Sequence, residues 1–409
     1  MLQNEMLGIK NAGKMQLHIK GEEVGMKNFL NIKSVEMKKG AIRAMFDKAK
    51  KFPRSINLGI GEPDLNTPAE VVEEGCKALR SGKTRYTANA GIIELRTEIA
   101  KHLNRYDLSV NPESEIIVTV GGMGALALCL LVTITPGDEV LLQDPQWLNY
   151  FSQIKFCGGI PISVPVYEEN EFKISPESIK KRITNRTKIL MLNSPNNPTG
   201  AVLDYYDLKD IAKLAKEYEL LVISDEVYST FVYDEVKHDS IASIDGMLER
   251  TIVINSFSKS FAMTGWRIGF AAGDRQIIEK MVRLQENLVA CANTSSQYAA
   301  IKALSIFNKT DKMIEVYRKR RDLIVDGLNS IRGISCYKPK GSFYVFLNVK
   351  KLGKNSETVA NELLEKANVI TIPGSAFGPH GEGYLRVSYA NSEENLREAI
   401  KRIKKYVEN

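Results

Sequence analysis

Cysteine, histidine and tryptophan are scarce in this chain of 409 residues, with five, four and two of each. The cysteines (Cys76, Cys129, Cys157, Cys291 and Cys336) are odd in number, scattered and free of any C-x-x-C pair. That pattern excludes a disulfide framework or a zinc site and points to a reducing cytoplasm. His18, His102, His238 and His380 fall at no ligand spacing, so no protein-held metal is expected. Long apolar runs are missing as well. The longest, residues 125–134, falls far short of the roughly 18 residues that a membrane helix requires, so no membrane association is expected. Residues 1–25 are polar and lack the apolar segment of a secretory signal. The excess charge of +7 is spread along the chain, and its densest stretches, Arg318-Lys-Arg-Arg321 and residues 401–405, lie on helix-like patterns as solvated faces. Without a concentrated basic patch or a recognised module, nucleic-acid binding is not expected.

What is present is ordinary globular composition, 44% hydrophobic and 26% charged. The length suits two domains, or one large domain with a smaller satellite. Short β-branched runs recur between amphipathic stretches: Ile116-Ile-Val-Thr-Val120, Val140-Leu-Leu142, Ile189-Leu-Met-Leu192, Leu221-Val-Ile223 and Ile252-Val-Ile254. A helix is expected from about Ala125, and another over residues 207–217. Continuous apolar strands separated by helices predict an α/β fold with a mostly parallel sheet covered on both faces. From about residue 311 the pattern changes to α+β, with a charged helix over 314–331 and strands over 342–348, 369–372 and 385–388. The division expected is a large domain over 65–310 and a small one built from 27–64 and 311–409. Residues 1–26 are expected as an N-terminal extension, and Met26 itself would serve as a natural start.

In a parallel sheet, ligands bind beyond the carboxyl ends of the strands. Here those ends carry Gly121-Gly122, Pro145-Gln146-Trp147, Asn196-Asn197-Pro198, Asp225-Glu226 and Ser256-Phe-Ser-Lys259. Lys259 follows a strand, stands among serines and lies eight residues before Arg267. A lysine so placed suits a Schiff base with an aldehyde cofactor, with hydroxyls and an arginine to hold that cofactor's phosphate. A solvated surface lysine is the ordinary alternative, and only partners elsewhere in the chain set Lys259 apart. Gly59-Ile-Gly61 suggests a dinucleotide fingerprint, but Asp64 stands where the third glycine belongs.

Those partners arrive in order. Asn57-Leu-Gly-Ile-Gly-Glu-Pro-Asp64, Lys83-Thr-Arg-Tyr86, Asn193-Ser-Pro-Asn-Asn-Pro-Thr-Gly200, Ser224-Asp-Glu-Val-Tyr228, the segment 256–269 and Tyr384-Leu-Arg-Val-Ser388 follow one another along the chain. From about residue 27 to its end the sequence resembles the class I aminotransferases, pyridoxal 5'-phosphate enzymes of the aspartate aminotransferase fold (fold type I).

The resemblance implies a role for each residue. Lys259 would carry the cofactor and then move a proton, Asp225 would pair with the pyridine nitrogen, and Asn197 and Tyr228 would donate to the ring oxygen. Trp147 would lie against the ring. Gly122 and Met123 would offer backbone N–H groups to the phosphate, with Ser256, Ser258 and Arg267 completing the cup. The family often has hydroxyls at positions 121 and 123, which this chain lacks. Tyr86 would reach the neighbouring subunit's phosphate, implying a homodimer with shared sites. Arg386 would clamp the substrate carboxylate, assisted by Asn197, and the segment with Gly61 would pass the substrate pocket.

The activity implied is transfer of an amino group from an L-amino acid to a 2-oxo acid; a C–S β-lyase or synthase of the same fold is the alternative, which fold alone does not separate. An effector-sensing domain of a transcription regulator would need a DNA-binding domain, for which 25 preceding residues are too few. The uncharged helix over 125–134 tilts the substrate toward aromatic or broad amino acids, with 2-oxoglutarate as acceptor. Arg43 or a partner-subunit residue could supply the second charge that a dicarboxylate wants, so aspartate stays close behind.

Overall fold

The computed structural model describes Phe29 and residues 40–408. The extension expected over 1–26, and most of 27–39, lie outside the described residues.

Seven strands form the main sheet: β2 (Ile116–Thr119), β3 (Glu139–Asp144), β4 (Ile160–Pro165), β5 (Thr187–Asn193), β6 (Leu221–Asp225), β7 (Thr251–Ser256) and β8 (Gly269–Gly273). Their spatial order is β2-β8-β7-β6-β5-β3-β4, and every pairing is parallel except the two made by β8. The continuous apolar runs have a simple cause. Side chains alternate across a strand, and both faces of this sheet are covered. Val140, Leu142, Ile189, Met191 and Ile223 join one core with Leu126, Leu130 and Met281 of the helices Gly121–Thr133 and Arg275–Val289. Leu141, Leu190, Leu192 and Val222 join another with Leu208, Ile211 and Ala215 of the helix Tyr205–Glu217. That last helix starts at a capping box, in which the Asp204 carboxylate accepts from the backbone of Tyr206 and Asp207.

Two strands of this sheet escaped the sequence reading. β4 is a half-exposed edge strand with Pro161 inside it and Pro165 at its end, residues that read as breakers. β8 is Gly-Phe-Ala-Ala-Gly, opening on a glycine because a Cβ on Gly269 would stand 2.6 Å from the Gly122 nitrogen. The helix expected from Ala125 begins at Gly121, since its first turn is made of glycines that low helix propensity disguises.

Beyond the helix Thr310–Asn329 lies a second, antiparallel sheet, ordered β12-β13-β10-β9. It comprises β9 (Ser335–Cys336), β10 (Tyr344–Asn348), β12 (Ile372–Pro373) and β13 (Tyr384–Ser388). The single strand expected over 369–372 is broken at Thr371, and its first half, β11 (Val369–Ile370), pairs in parallel with β1 (Ile56–Asn57). The Ser388 N–H then donates to the Leu58 carbonyl at 2.7 Å. The segment 59–61 is thereby carried to the edge where the main strands end.

Candidate active site

Register places the site. Asn193, Asp225 and Ile254 are aligned across β5, β6 and β7, and Thr119 and Ser256 both pair with Gly269 of β8. The residues at these ends open into a cavity of about 330 Å³, a volume suited to a small ligand.

Lys259 stands on the short helix Phe257–Ser260 directly after β7. Its Nζ donates to the Gly61 carbonyl at 2.5 Å, across 198 positions of sequence. Burial pulls the amine down to about 8. Asp225 closes β6 and is buried. It accepts from the Tyr150 hydroxyl at 2.6 Å and the Val227 N–H at 3.2 Å, yet burial still pushes its carboxyl up to about 6. Trp147 lines the same cavity and meets the Tyr150 ring edge-on at 5.3 Å. The hydroxyls of Tyr228 and Tyr344 share a hydrogen bond of 2.9 Å. Asn197 is held by its neighbour in the motif, as its N–H donates to the Asn193 side chain at 2.9 Å.

One end of the cavity is built for an anion. Gly122 and Met123 sit in the first turn of the helix Gly121–Thr133, where unpaired N–H groups and the helix dipole favour negative charge. The hydroxyls of Ser256 and Ser258 lie beside it, 2.8 Å apart. Arg267, exposed and at φ 54°, donates to the Thr264 carbonyl at 2.9 Å. The missing hydroxyl at 121 now has a physical reason. Gly121 has φ 69°, and a Cβ there would lie 2.5 Å from Arg267 Nη2, so the guanidinium fills the space a side chain would take.

The other end is built differently. Arg386 is in mid-strand, fully buried, and points into the cavity, while Leu385 and Val387 join the core behind it. Its guanidinium donates to the Gly59 carbonyl at 2.7 Å and to the Asn197 side-chain oxygen at 3.1 Å, between the rings of Tyr344 and Phe377. Its Nε has no partner among the described residues.

Of the residues singled out in the sequence, Gly61, Gly122, Met123, Trp147, Asn197, Asp225, Tyr228, Ser256, Ser258, Lys259, Arg267 and Arg386 all line this cavity. Tyr86 does not, and it is 87% exposed. Arg43 is exposed on the helix Ala41–Ala49 while its neighbour Ile42 lines the cavity. The sequence reading missed Tyr150, Asn193, Tyr344, Glu62 and Thr264. Tyr150 lies three residues past Trp147 and Asn193 opens a motif already noticed, but Tyr344 offered no signal beyond a hydrophobic strand. The helix over 125–134 is uncharged because it is packed between the sheet and the helix Arg275–Val289. Its apolarity therefore says nothing about the substrate.

Comparison with known proteins agrees with this arrangement. Residues 53–403 match the family described as aminotransferase class I and II, whose class I members use pyridoxal phosphate. The chain is 44% identical over 368 residues to an aromatic-amino-acid aminotransferase 2 of Thermococcus litoralis, covering 89% of this chain and 94% of the relative. It is 46% identical over 368 residues to an aspartate aminotransferase of Pyrococcus abyssi, with the same coverage. The crystal structure of an aromatic aminotransferase from Pyrococcus horikoshii aligns with a TM-score of 0.85 at 43% identity, covering 89% of this chain and 98% of that one. None of this favours the lyase or synthase alternative. The match over residues 53–403 and relatives more than 40% identical over most of their length, on this fold and around a cavity with a buried amine, a buried carboxylate and an arginine at each end, make the chain a member of the class I and II aminotransferases and a transaminase.

Proposed function

We propose that this transaminase uses pyridoxal 5'-phosphate to move the amino group of an L-amino acid, aromatic, aspartate or a broad range, to a 2-oxo acid such as 2-oxoglutarate. The observation that carries the reading is one cavity holding Lys259 with Asp225, a hydroxyl-and-arginine anion cradle and a buried Arg386. The donor set fits the cofactor: the cradle at 121–123, Ser256, Ser258 and Arg267 suits its phosphate, Trp147 its ring face, Asp225 its ring nitrogen, and Asn197 with Tyr228 its ring oxygen. When bound, pyridoxal phosphate supplies an aldehyde for amines and a ring that withdraws electrons from the substrate α-carbon.

The protein's own part follows from its groups. Lys259 Nζ, its proton affinity lowered by burial, would take the α-proton of the substrate and deliver it to the cofactor carbon that bore the aldehyde, rather than back to the α-carbon. Asp225, driven toward neutrality in its buried site, is stabilised as a carboxylate once a cationic ring nitrogen faces it. Arg386 exchanges two neutral acceptors for the substrate carboxylate, gaining charge-assisted bonds. Ile42, Ile60, Met123, Trp147 and Val227 give the cavity apolar walls, which suit an aromatic side chain. The names of the two relatives favour aromatic and aspartate substrates alike.

Residues 65–310 would act as the cofactor-holding domain, with 27–64 and 311–409 as a smaller domain that closes when Arg386 binds substrate. The exposed Tyr86 suits a homodimer in which it reaches the partner's phosphate, and the dispersed cysteines suit a cytoplasmic enzyme. The test is a half-reaction followed by absorbance. Purified protein with pyridoxal phosphate is mixed in turn with tyrosine, phenylalanine, aspartate, glutamate and alanine. A spectral change reversed by 2-oxoglutarate is expected, fastest for the preferred donor. Irreversible release of pyruvate and ammonia from cysteine-type substrates would overturn the reading.

A further inference from the structure

Tyr344 lines the cavity, and nothing in the scheme above uses it. It opens β10 and is buried. Strand pairing fixes its face: Tyr344 stands opposite Ser388 and Phe346 opposite Arg386, so Tyr344 and Arg386 are diagonal neighbours on one side of the second sheet. The Arg386 guanidinium accordingly lies 4.5 Å from the centre of the Tyr344 ring. At its tip, the Tyr344 hydroxyl meets the Tyr228 hydroxyl at 2.9 Å. Gly61 leaves the room for that tip, since a Cβ there would collide with the Tyr344 hydroxyl.

We infer that Tyr344 is a positioning residue for Tyr228: its hydroxyl donates to the Tyr228 oxygen and so aims the single Tyr228 O–H at the ring oxygen of the bound cofactor. The inference rests on the role proposed above for Tyr228. A phenol has one proton to give. If Tyr228 gives its proton to a ligand, it cannot also give it to Tyr344, so the bond between the two must run from Tyr344 to Tyr228.

The surroundings favour that direction. A guanidinium over the face of a phenol draws electrons toward itself and makes the hydroxyl a better donor. Burial makes both phenols hold their protons more tightly than usual, Tyr228 more so than Tyr344, and the Arg386 charge is the largest opposing influence at Tyr344. Of two phenols sharing a hydrogen bond, the more acidic donates. Its donation also polarises the second O–H, which strengthens the bond that Tyr228 makes in turn.

The experiment dialyses the full-length, cofactor-free protein against pyridoxal phosphate and against 3-deoxypyridoxal phosphate, which lacks the ring oxygen, and reads the ratio of the two affinities. Wild type should prefer pyridoxal phosphate, and Tyr228→Phe should remove most of that preference. Tyr344→Phe, which keeps a ring beside Arg386, should lower the ratio about threefold, as a weakened hydrogen bond would. In the Tyr228→Phe background the same change should alter it by less than about 1.3-fold, because the group it acts through is gone. A merely structural role would weaken both compounds alike and leave the ratio unmoved. An unchanged ratio in Tyr344→Phe overturns the inference, and so does an equal drop with and without the Tyr228 hydroxyl. If Tyr344→Phe fails to fold, Gly61→Ala replaces it: that variant keeps the hydroxyl but displaces it, should lower the ratio, and overturns the inference if the ratio stands. A wild type that retains neither compound, or does not distinguish them, overturns the proposed role of Tyr228 and this inference together. A preference that depends on Tyr228 and is indifferent to Tyr344 overturns the inference alone.

Discussion

The two arginines at opposite ends of the cavity are held in contrasting ways. Arg267 is exposed, sits on a turn at φ 54° and rests against the space left by Gly121. Arg386 is buried in mid-strand, hydrogen-bonded to Gly59 and Asn197 and enclosed by two aromatic rings. A rim arginine works alongside backbone donors and hydroxyls, and solvent compensates for part of what is lost when it is changed. A buried arginine has no such substitute. The end proposed for the cofactor should therefore degrade gradually under mutation, and the end proposed for the substrate abruptly.

The sharpest test leaves both ends intact and removes what lies between. Lys259→Ala should lower turnover by more than about 10⁴-fold, since the proposed anchoring and proton transfer would be lost together. Equilibrium dialysis should still find phosphate-dependent retention of the cofactor. Next in size, Arg386→Lys should cost on the order of a hundredfold in kcat/KM, because an ammonium cannot reproduce the guanidinium's two parallel bonds. Steady-state kinetics with the best donor would read it. An effect under about threefold would erase the contrast with Arg267.

Asp225 gives a prediction about stability with a definite sign. Its folded pKa is raised to about 6 by burial, so the folded protein holds this proton more tightly than the unfolded chain does. That contribution is fully present below about pH 4, near the ordinary Asp value, and is lost as pH rises through 6. Asp225→Asn should accordingly stabilise the cofactor-free protein at pH 7–8 by on the order of 2 kcal/mol and leave it unchanged near pH 4, as melting curves across pH would show. The same variant should be nearly inactive. Smallest of all, Gly121→Ser should displace Arg267 and weaken cofactor retention by about tenfold, about 1.4 kcal/mol, measurable by titration of the cofactor-free protein.

The same contrast explains what the sequence made legible. Strand runs and their polar ends are local in sequence, so the edge with Asp225, Asn197 and Lys259 could be read from the chain itself. β8 could not, because Gly269 answers to the backbone of Gly121 and Gly122, and Gly273 to that of Thr251, all distant in sequence or on a neighbouring strand. Tyr344 and Glu62 were equally hidden. Each is defined by a partner more than a hundred positions away, Tyr228 and Thr264 respectively. Arg386 was recognisable as a motif residue, but the face it takes on β13 was settled only by the second sheet.

The pairing of β1 with β11, and of Leu58 with Ser388, also sets an order of construction. A ribosome makes the chain from its amino end, so the main sheet and the anion cradle can assemble while the last stretch is still being synthesised. Gly59 and Gly61 cannot be seated until residue 388 has emerged. On the proposed assignment, the residues that would hold the cofactor are thus made before those that would hold the substrate.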